Sequence, residues 1–207
     1  MANIYLDIDD TLADHTSEFV NYINEKYKIN LNKNELKDHD CRNLLFSKFN
    51  LHSEIFREFH KSSNFKKINP MDGSLSIITD ISKFHNLFLI TGRPFDLKDV
   101  TENWVSNFFP NCFSNLYITQ QFPNDGEIKG PNKLEICQKL KCSIAIDDDP
   151  LTALKMANDG MSVLLFDQPW NKDIEHEKIT RVFNWQQINN LLNKEEFKIK
   201  DGNIKRI

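Results

Sequence analysis

Asp7-Ile8-Asp9-Asp10 places three carboxylates within four positions, directly after the strand-forming run Ile4-Tyr5-Leu6, and a second acidic cluster, Asp147-Asp148-Asp149, follows Ile144-Ala145-Ile146. Several carboxylates in a cleft of low dielectric constant either rise in pKa or demand a cation, since unpaired buried charge is costly. The donors are oxygen only, with no His or Cys at ligand spacing, which favours Mg2+ over zinc. Asp7 and Asp9 stand two positions apart, and side chains at that spacing on a strand share a side. A carboxyl two positions from its neighbour can supply a proton to an ester leaving group and later activate water.

A calcium loop is a superficially close alternative for Asp7-x-Asp9-x-Thr11. It fails at the sixth loop position, where Leu12 stands in place of the glycine the turn requires, and its flank is a strand instead of a helix. Asp10 and Thr11 have a plainer role open to them as a helix N-cap, Thr11 and Asp14 resembling a capping box.

The elements that must position these residues are legible from periodicity. Short apolar runs that read as buried strands recur at Ile4 to Ile8, Leu87 to Thr91, Leu116 to Thr119, Ser143 to Ile146 and Ser162 to Phe166. Helical stripes fill the gaps: Leu75, Ile78, Ile81 and Phe84; Val100, Trp104 and Phe108; Leu134, Cys137 and Leu140; Leu151 and Leu154. The alternation predicts an α/β fold, a doubly wound parallel sheet with right-handed crossovers, and ligands in such sheets bind beyond the carboxyl ends of the strands. Both acidic clusters and Thr91-Gly92-Arg93 sit at those ends.

About 75 residues separate the first strand from the second, too many for an ordinary crossover. Phe19, Val20, Ile23 and Tyr27 form one helical stripe inside this interval, and Leu44, Leu45, Phe46, Phe49, Ile55, Phe56 and Phe59 suggest more helices. The expected organisation is a core over 1–14 and 71–193, a small helical cap over 15–70 inserted after the first strand, and a loosely ordered Lys-rich tail over 194–207. Asn69-Pro70-Met71-Asp72-Gly73 is the turn that closes the insertion.

Bulk properties narrow the partners. The 207 residues are 40% hydrophobic and 27% charged, enough for a real core, and the net charge of −4 argues against a broad footprint for polymeric nucleic acid or an anionic membrane. No apolar run approaches the roughly 20 residues needed to span a bilayer. Cys41, Cys112, Cys137 and Cys142 show neither a C-x-x-C pair nor metal-finger spacing, and no secretory leader is apparent, so reduced thiols and a cytoplasmic location are expected.

Four motifs taken together carry a resemblance: Asp7-x-Asp9-x-Thr11 after the first strand, Thr91 in Leu89-Ile90-Thr91-Gly92-Arg93-Pro94 after the second, a lysine ahead of a helix, and Ile146-Asp147-Asp148 after the fourth. In this order and spacing they resemble the haloacid dehalogenase superfamily of phosphotransferases, and the helical insertion is similar to its first cap class. Leu12-Ala13, Pro70-x-x-Gly73, Thr91-Gly92-Arg93-Pro94, Ile146-Asp147-Asp148-x-Pro150 and Leu164-Leu-Phe-Asp-Gln-Pro-Trp-Asn171 are similar to the 5'(3')-deoxyribonucleotidases and related bacterial nucleotidases.

The resemblance implies a Rossmann-like core and Mg2+ as cofactor. It makes Asp7 the nucleophile that forms an aspartyl-phosphate and Asp9 the general acid, then base. An apolar residue at position 9 would have let a dehalogenase compete. Asp7, the main-chain carbonyl of Asp9, and Asp147 are the implied metal ligands, with Asp148 behind them orienting waters. Asp149 reads as a surface ion pair or a cap for the helix begun by Pro150. Thr91 would donate its hydroxyl to phosphate, and Gly92 would let backbone N–H groups approach it. Arg93 either grips phosphate or braces its loop. Lys133 matches the lysine of the third motif, with Lys129 as its rival.

Selectivity is expected to come from the cap and from Phe166-Asp-Gln-Pro-Trp-Asn171, because phosphate contacts are common to all monoesters. Aromatic rings stack on bases, but most of Phe46, Phe49, Phe56, Phe59 and Phe65 have core spacing. The histidines at 15, 39, 52, 60, 85 and 176 show no partner at catalytic spacing and read as solvated or locally bonded. Trp170 either closes over the site or packs beneath it, with packing favoured. The expectation is a Mg2+-dependent phosphomonoesterase acting on nucleoside monophosphates. A phosphatase for another small phosphometabolite, such as a sugar phosphate, and a catalytically idle nucleotide- or phosphate-binding module are the alternatives. The partner is then a small phosphate monoester, with neither membrane nor polymeric nucleic acid, and a homodimer is left open.

Overall fold

The computed structural model describes residues 1–38, 40–121 and 129–193. Its elements follow in the order β1 (Asn3–Leu6), α1 (His15–Tyr27), α2 (Arg42–Phe49), α3 (Glu54–Lys61), α4 (Ser63–Lys66), α5 (Ser74–Ile81), β2 (Asn86–Thr91), α6 (Lys98–Phe108), β3 (Asn115–Ile118), α7 (Lys133–Lys139), β4 (Ile144–Asp147), α8 (Pro150–Asn158), β5 (Ser162–Phe166), β6 (Ile179–Val182) and α9 (Trp185–Asn193). The expected loose tail at 194–207 and His39 lie outside the described residues. Among the described residues no helix is long and apolar enough to cross a membrane.

Among the described residues six strands form one sheet in the order β3-β2-β1-β4-β5-β6, and every neighbouring pair is parallel. Parallel strands buried on both faces must be apolar at successive positions, which is what Ile4-Tyr5-Leu6 and Ile144-Ala145-Ile146 supply. Alternation then divides the core. Ile4, Leu6, Leu87, Leu89, Ile144, Ile146 and Leu164 share one buried cluster with Ile78 of α5, Trp104 of α6 and Ile188 of α9. Tyr5, Ile90, Ala145, Val163 and Leu165 share the other with Ile136 and Cys137 of α7 and Ala153 and Met156 of α8.

The sixth strand was not expected. Ile179-Thr180-Arg181-Val182 is four residues long and only Val182 is buried, so its apolar signal is too weak to register in sequence. Main-chain pairing with β5, from Val163↔Ile179 to Phe166↔Val182, makes it a strand.

Between β1 and α5 the chain folds into four helices and a short 3-10 turn at Lys33–Glu35, capped reciprocally by Asn32 and Glu35. Phe19 and Ile23 of α1, Leu45 of α2, Ile55 and Phe59 of α3 and Phe65 of α4 bury against one another. Phe46, placed in the apolar stripe by spacing, is instead 53% exposed, while its neighbour Leu45 turns inward. The helical segment is joined to the sheet by a narrow neck: the Asp14 N–H donates to the Asn69 carbonyl at 3.0 Å, the Met71 N–H donates to Leu12 at 2.7 Å, and Ala13 bridges Pro70.

Candidate active site

Strand order brings the chemistry together. β1 and β4 are neighbours at the point where the order reverses, the place where open α/β sheets bind ligands. In register Tyr5 faces Ala145. Residues two further along, Asp7 and Asp147, therefore emerge on the same side at the adjacent strand ends.

Immediately after β1 the backbone winds into a tight loop. The carbonyl of Ile8 accepts the N–H groups of Thr11, Leu12 and Ala13 at 3.4, 2.8 and 2.8 Å, and Asp10 takes a left-handed φ of 53° to allow it. Asp10 also caps α1 from a distance, accepting the Thr16 N–H at 3.1 Å together with its hydroxyl, and it pairs with Lys33 at 3.3 Å. The expected Thr11–Asp14 capping box does not form. Asp14 precedes α1 without a side-chain cap bond, and Thr11 Oγ1 is buried with no hydrogen-bond partner among the described residues.

The floor of the site is a buried knot of charge. Lys133, the first residue of α7, places Nζ 3.1 Å from Asp7 Oδ1 and 3.3 Å from Asp147 Oδ2. Lys129, its rival in sequence, is exposed and lines a separate small cavity. Asp147 Oδ1 accepts the backbone N–H groups of Asp148 and Asp149 at 2.8 and 2.9 Å, and Oδ2 accepts the Tyr5 hydroxyl as well as Lys133. Asp7 Oδ1, by contrast, has a charge contact with Lys133 that is out of line for a hydrogen bond, leaving this buried oxygen without a hydrogen-bond partner among the described residues. Asp149 caps α8 as expected, accepting from Leu151 and Thr152 at 2.7 and 3.0 Å, but it is buried and not at the surface.

The electrostatics of the floor follow from burial. Desolvation pushes the Asp7 carboxyl up to about 7, against the pull of Lys133 and with help from the neighbouring Asp147 and Asp9. Asp148 is raised well above the carboxylate range by burial first and then by repulsion from Asp10, Asp147 and Asp7. Burial alone would lower the Lys133 ammonium, but the carboxylates of Asp147, Asp7 and Asp149 overcome it and hold the group protonated. The single ammonium leaves a surplus of negative charge. Asp7, Asp147 and Asp148 each bring one carboxylate oxygen within 4.8 Å of the others, an all-oxygen donor set suited to a hard divalent cation. The unpartnered Asp7 Oδ1 fits the same group.

Asp9 meets a different partner. Arg93 Nε and NH2 donate to its two carboxylate oxygens at 2.9 and 2.6 Å, while NH1 donates to Thr101 at 3.1 Å and the guanidinium lies 4.9 Å from the Phe65 ring centroid. Burial opposes ionisation of Asp9, but the bidentate guanidinium, aided by nearby His15, outweighs it and holds the carboxyl well below the usual range. Of the two roles open to Arg93, the structure shows the guanidinium fastened to a catalytic candidate. Thr91 is buried beside the cavity, accepting the Arg93 N–H at 3.3 Å. Gly92 sits under Gln121, where an added Cβ would lie 3.0 Å from Oε1, so a larger residue would push Gln121 out of place.

The cavity above this floor measures about 570 Å³, within the range of small-molecule sites. Asp7, Asp9, Thr91, Gly92, Lys133 and Asp148 line it; Asp147 is fully buried behind them. Helical residues form its far wall, including His15, Phe56 and His60. Phe56 is half-buried and stacked on Phe19 at 4.8 Å, whereas Phe59 and Phe65 are core.

The loop Asp167–Asn171, expected to contribute to selectivity, reaches the cavity through Trp170. Apart from Trp170, none of it lines the cavity. Asn171 Nδ2 donates to the carbonyls of Asp148 and Phe166, Trp170 Nε1 donates to Asp148 Oδ2 at 3.1 Å, and Gln168 reaches the Asp10 carbonyl at 3.4 Å. It is a brace beneath both acidic loops. Tyr5 was also passed over, although a ring with a polar tip two positions before Asp7 in an aliphatic strand was a readable sign.

Comparison with known proteins identifies a family. The family described as 5' nucleotidase, deoxy (pyrimidine), cytosolic type C protein matches residues 1–126. The chain belongs to this family. It is thereby a member of the haloacid dehalogenase-like nucleotidases and an enzyme of the phosphoric monoester hydrolase class. A nucleotidase of Clostridium acetobutylicum is 24% identical over 190 residues, covering 90% of this chain and 91% of its own. A 5'(3')-deoxyribonucleotidase of Bacillus subtilis is 26% identical over 188 residues, covering 89% and 95%. Among solved structures, a haloacid dehalogenase-type hydrolase of Bacillus subtilis bound to magnesium superposes with a TM-score of 0.62 at 13% identity over 93% of this chain and 99% of that one, a likeness of fold.

Proposed function

We propose that this nucleotidase-family member is a Mg2+-dependent 5'(3')-nucleotidase that releases phosphate from deoxynucleoside or ribonucleoside monophosphates through an aspartyl-phosphate on Asp7. The observation that carries the reading is the buried Asp7 Oδ1, unpartnered by any described hydrogen-bond donor, beside a protonated Lys133 at the base of a cavity of nucleotide size. The 5'(3')-deoxyribonucleotidase relative supports the substrate class.

Asp7 attacks phosphorus as the ester P–O bond breaks, and Lys133 and Thr91 bind the phosphoryl oxygens. The departing alkoxide takes a proton from Asp9. Water then attacks the aspartyl-phosphate, Asp9 removes its proton, and cleavage of the bond to Asp7 frees inorganic phosphate. Held by Arg93, Asp9 is ready for the second step as a base. For the first step it must leave the guanidinium and meet the anionic phosphate, whose charge favours a proton on the carboxyl.

When bound, the cation screens Asp7 from the phosphate and stabilises charge in the transition state. Asp7, the carbonyl of Asp9, and Asp148 would hold it. This exchanges the roles first expected of Asp147 and Asp148. Asp147 spends both oxygens on Tyr5, Lys133 and two backbone N–H groups and does not reach the cavity, while Asp148 lines it. Residues 15–70 act as the cap, and Phe56 offers its free side to a base.

The test is a panel of deoxy- and ribonucleoside 5'- and 3'-monophosphates against sugar phosphates, compared by kcat/KM with Mg2+ and with EDTA. Nucleotides should lead by at least about tenfold, and EDTA should abolish turnover. Uniformly poor rates on nucleotides would move the assignment to another phosphometabolite.

A further inference from the structure

His15 opens α1 and His60 lies near the end of α3, so 45 residues of chain separate two imidazoles that the fold places 6.2 Å apart between ring centroids. Both line the cavity that Asp9 also lines. Aromatic packing fixes their rings: His15 meets Phe59 and Phe65 edge-on at 5.4 and 6.1 Å, and His60 lies 4.9 Å from Phe65. Among the described residues neither imidazole makes a hydrogen bond, and neither has a ring nitrogen sealed from solvent. Two oriented polar groups therefore face the cavity unspent.

Their chemistry limits what they can receive. Burial, followed by repulsion from His15, pushes His60 down to about 4, so its ring is neutral at physiological pH and has little attraction for a second phosphate. A metal is not indicated, because among the described residues the only grouping of three or more ligand-type side chains is the one at Asp7, Asp147 and Asp148. A neutral imidazole offers one donor and one acceptor, which is the complement of an alcohol.

We infer that His15 and His60 are specificity-determining residues that hydrogen-bond a sugar hydroxyl of the leaving alcohol. This rests on the nucleotidase reading above, in which the ester oxygen departs at Asp9. Atoms of the alcohol a few bonds from that oxygen must then pass beside the two rings. In a nucleoside 5'-monophosphate the polar group so placed is the 3'-hydroxyl, three carbons from the ester oxygen.

The experiment compares kcat/KM for a deoxynucleoside 5'-monophosphate with that for its 2',3'-dideoxy counterpart in wild type, His60→Leu, His15→Leu and His60→Gln. Leucine keeps the packing volume, and glutamine keeps a donor and an acceptor. In wild type, loss of the hydroxyl should cost about tenfold. In His60→Leu or His15→Leu the penalty should shrink to less than about twofold, and His60→Gln should restore part of it. A wild type indifferent to the hydroxyl overturns the assignment, as does a full penalty in both leucine variants. Wild-type turnover of an aryl phosphate with no turnover of any nucleotide defeats the nucleotidase reading itself, and the histidine assignment with it.

Discussion

The floor of the cavity and its helical wall are built on opposite terms. On the floor every element is charged, buried and tied to the sheet: Lys133 spans Asp7 and Asp147, and Tyr5 and two backbone N–H groups secure the latter. On the wall, Phe56, His15 and His60 pack through ring contacts. Ion pairs out of water are strong only while both partners remain, so removing one partner leaves the other buried and unpaired. Ring packing orients these side chains yet accepts exchange of similar volumes more readily than buried charge does. On the proposed function, reaction type would be set by the first region and selectivity by the second.

The largest effect should come from the floor. Asp7→Asn is expected to lower turnover of a generic aryl phosphate by at least about four orders of magnitude, as loss of a nucleophile does. Thermal unfolding near pH 7.5 should not fall, because the change removes a repelled carboxylate. Undiminished turnover would refute the nucleophile and with it the contrast.

A second test asks whether the floor is poised for a cation. The folded pKa of Asp7, at about 7, lies above its ordinary value of 3.8, so the native state binds this proton more tightly than the unfolded chain. Its contribution to stability is full below pH 4 and is lost as pH rises through 7. His60, depressed to about 4, acts in the opposite direction, chiefly below its ordinary value of 6.5 but still partly above it. Between pH 6.5 and 8 the metal-free protein should therefore lose a net of roughly 0.4 kcal/mol, or about 1 °C in Tm. Saturating Mg2+ should remove that slope. A flat profile without metal would show that the carboxylates are already balanced.

The smallest effect is expected on the wall. Phe56→Ala should cost about 1 kcal/mol of base stacking, roughly fivefold in kcat/KM for nucleotides, most of it in KM. An equal loss on a sugar phosphate would reduce Phe56 to a packing residue.

The same contrast explains what could be read from the sequence. The strand ends carry their chemistry in short local strings, and parallel topology fixes which strings meet, so Asp7, Asp9, Thr91, Lys133 and the acidic run at 147–149 could be named beforehand. Contacts across the chain were not legible. Arg93 and Asp9 are 84 residues apart, Tyr5 and Asp147 are 142 apart, and no local pattern joins them. Which of Asp147 and Asp148 lines the cavity was not legible for a related reason, since adjacent residues at a strand end point to opposite sides and only the surroundings tell which one reaches it. His15 and His60 looked solitary because partnership between two helices depends on their crossing, which spacing does not encode.

The neck at Asp14 and Asn69 has an evolutionary corollary. Since the chain leaves and re-enters the sheet at points one hydrogen bond apart, the segment between them is a cassette. Any replacement whose ends meet at that spacing can be grafted there without stretching a strand, so new substrate preferences can arise while the hydrolytic machinery is inherited intact.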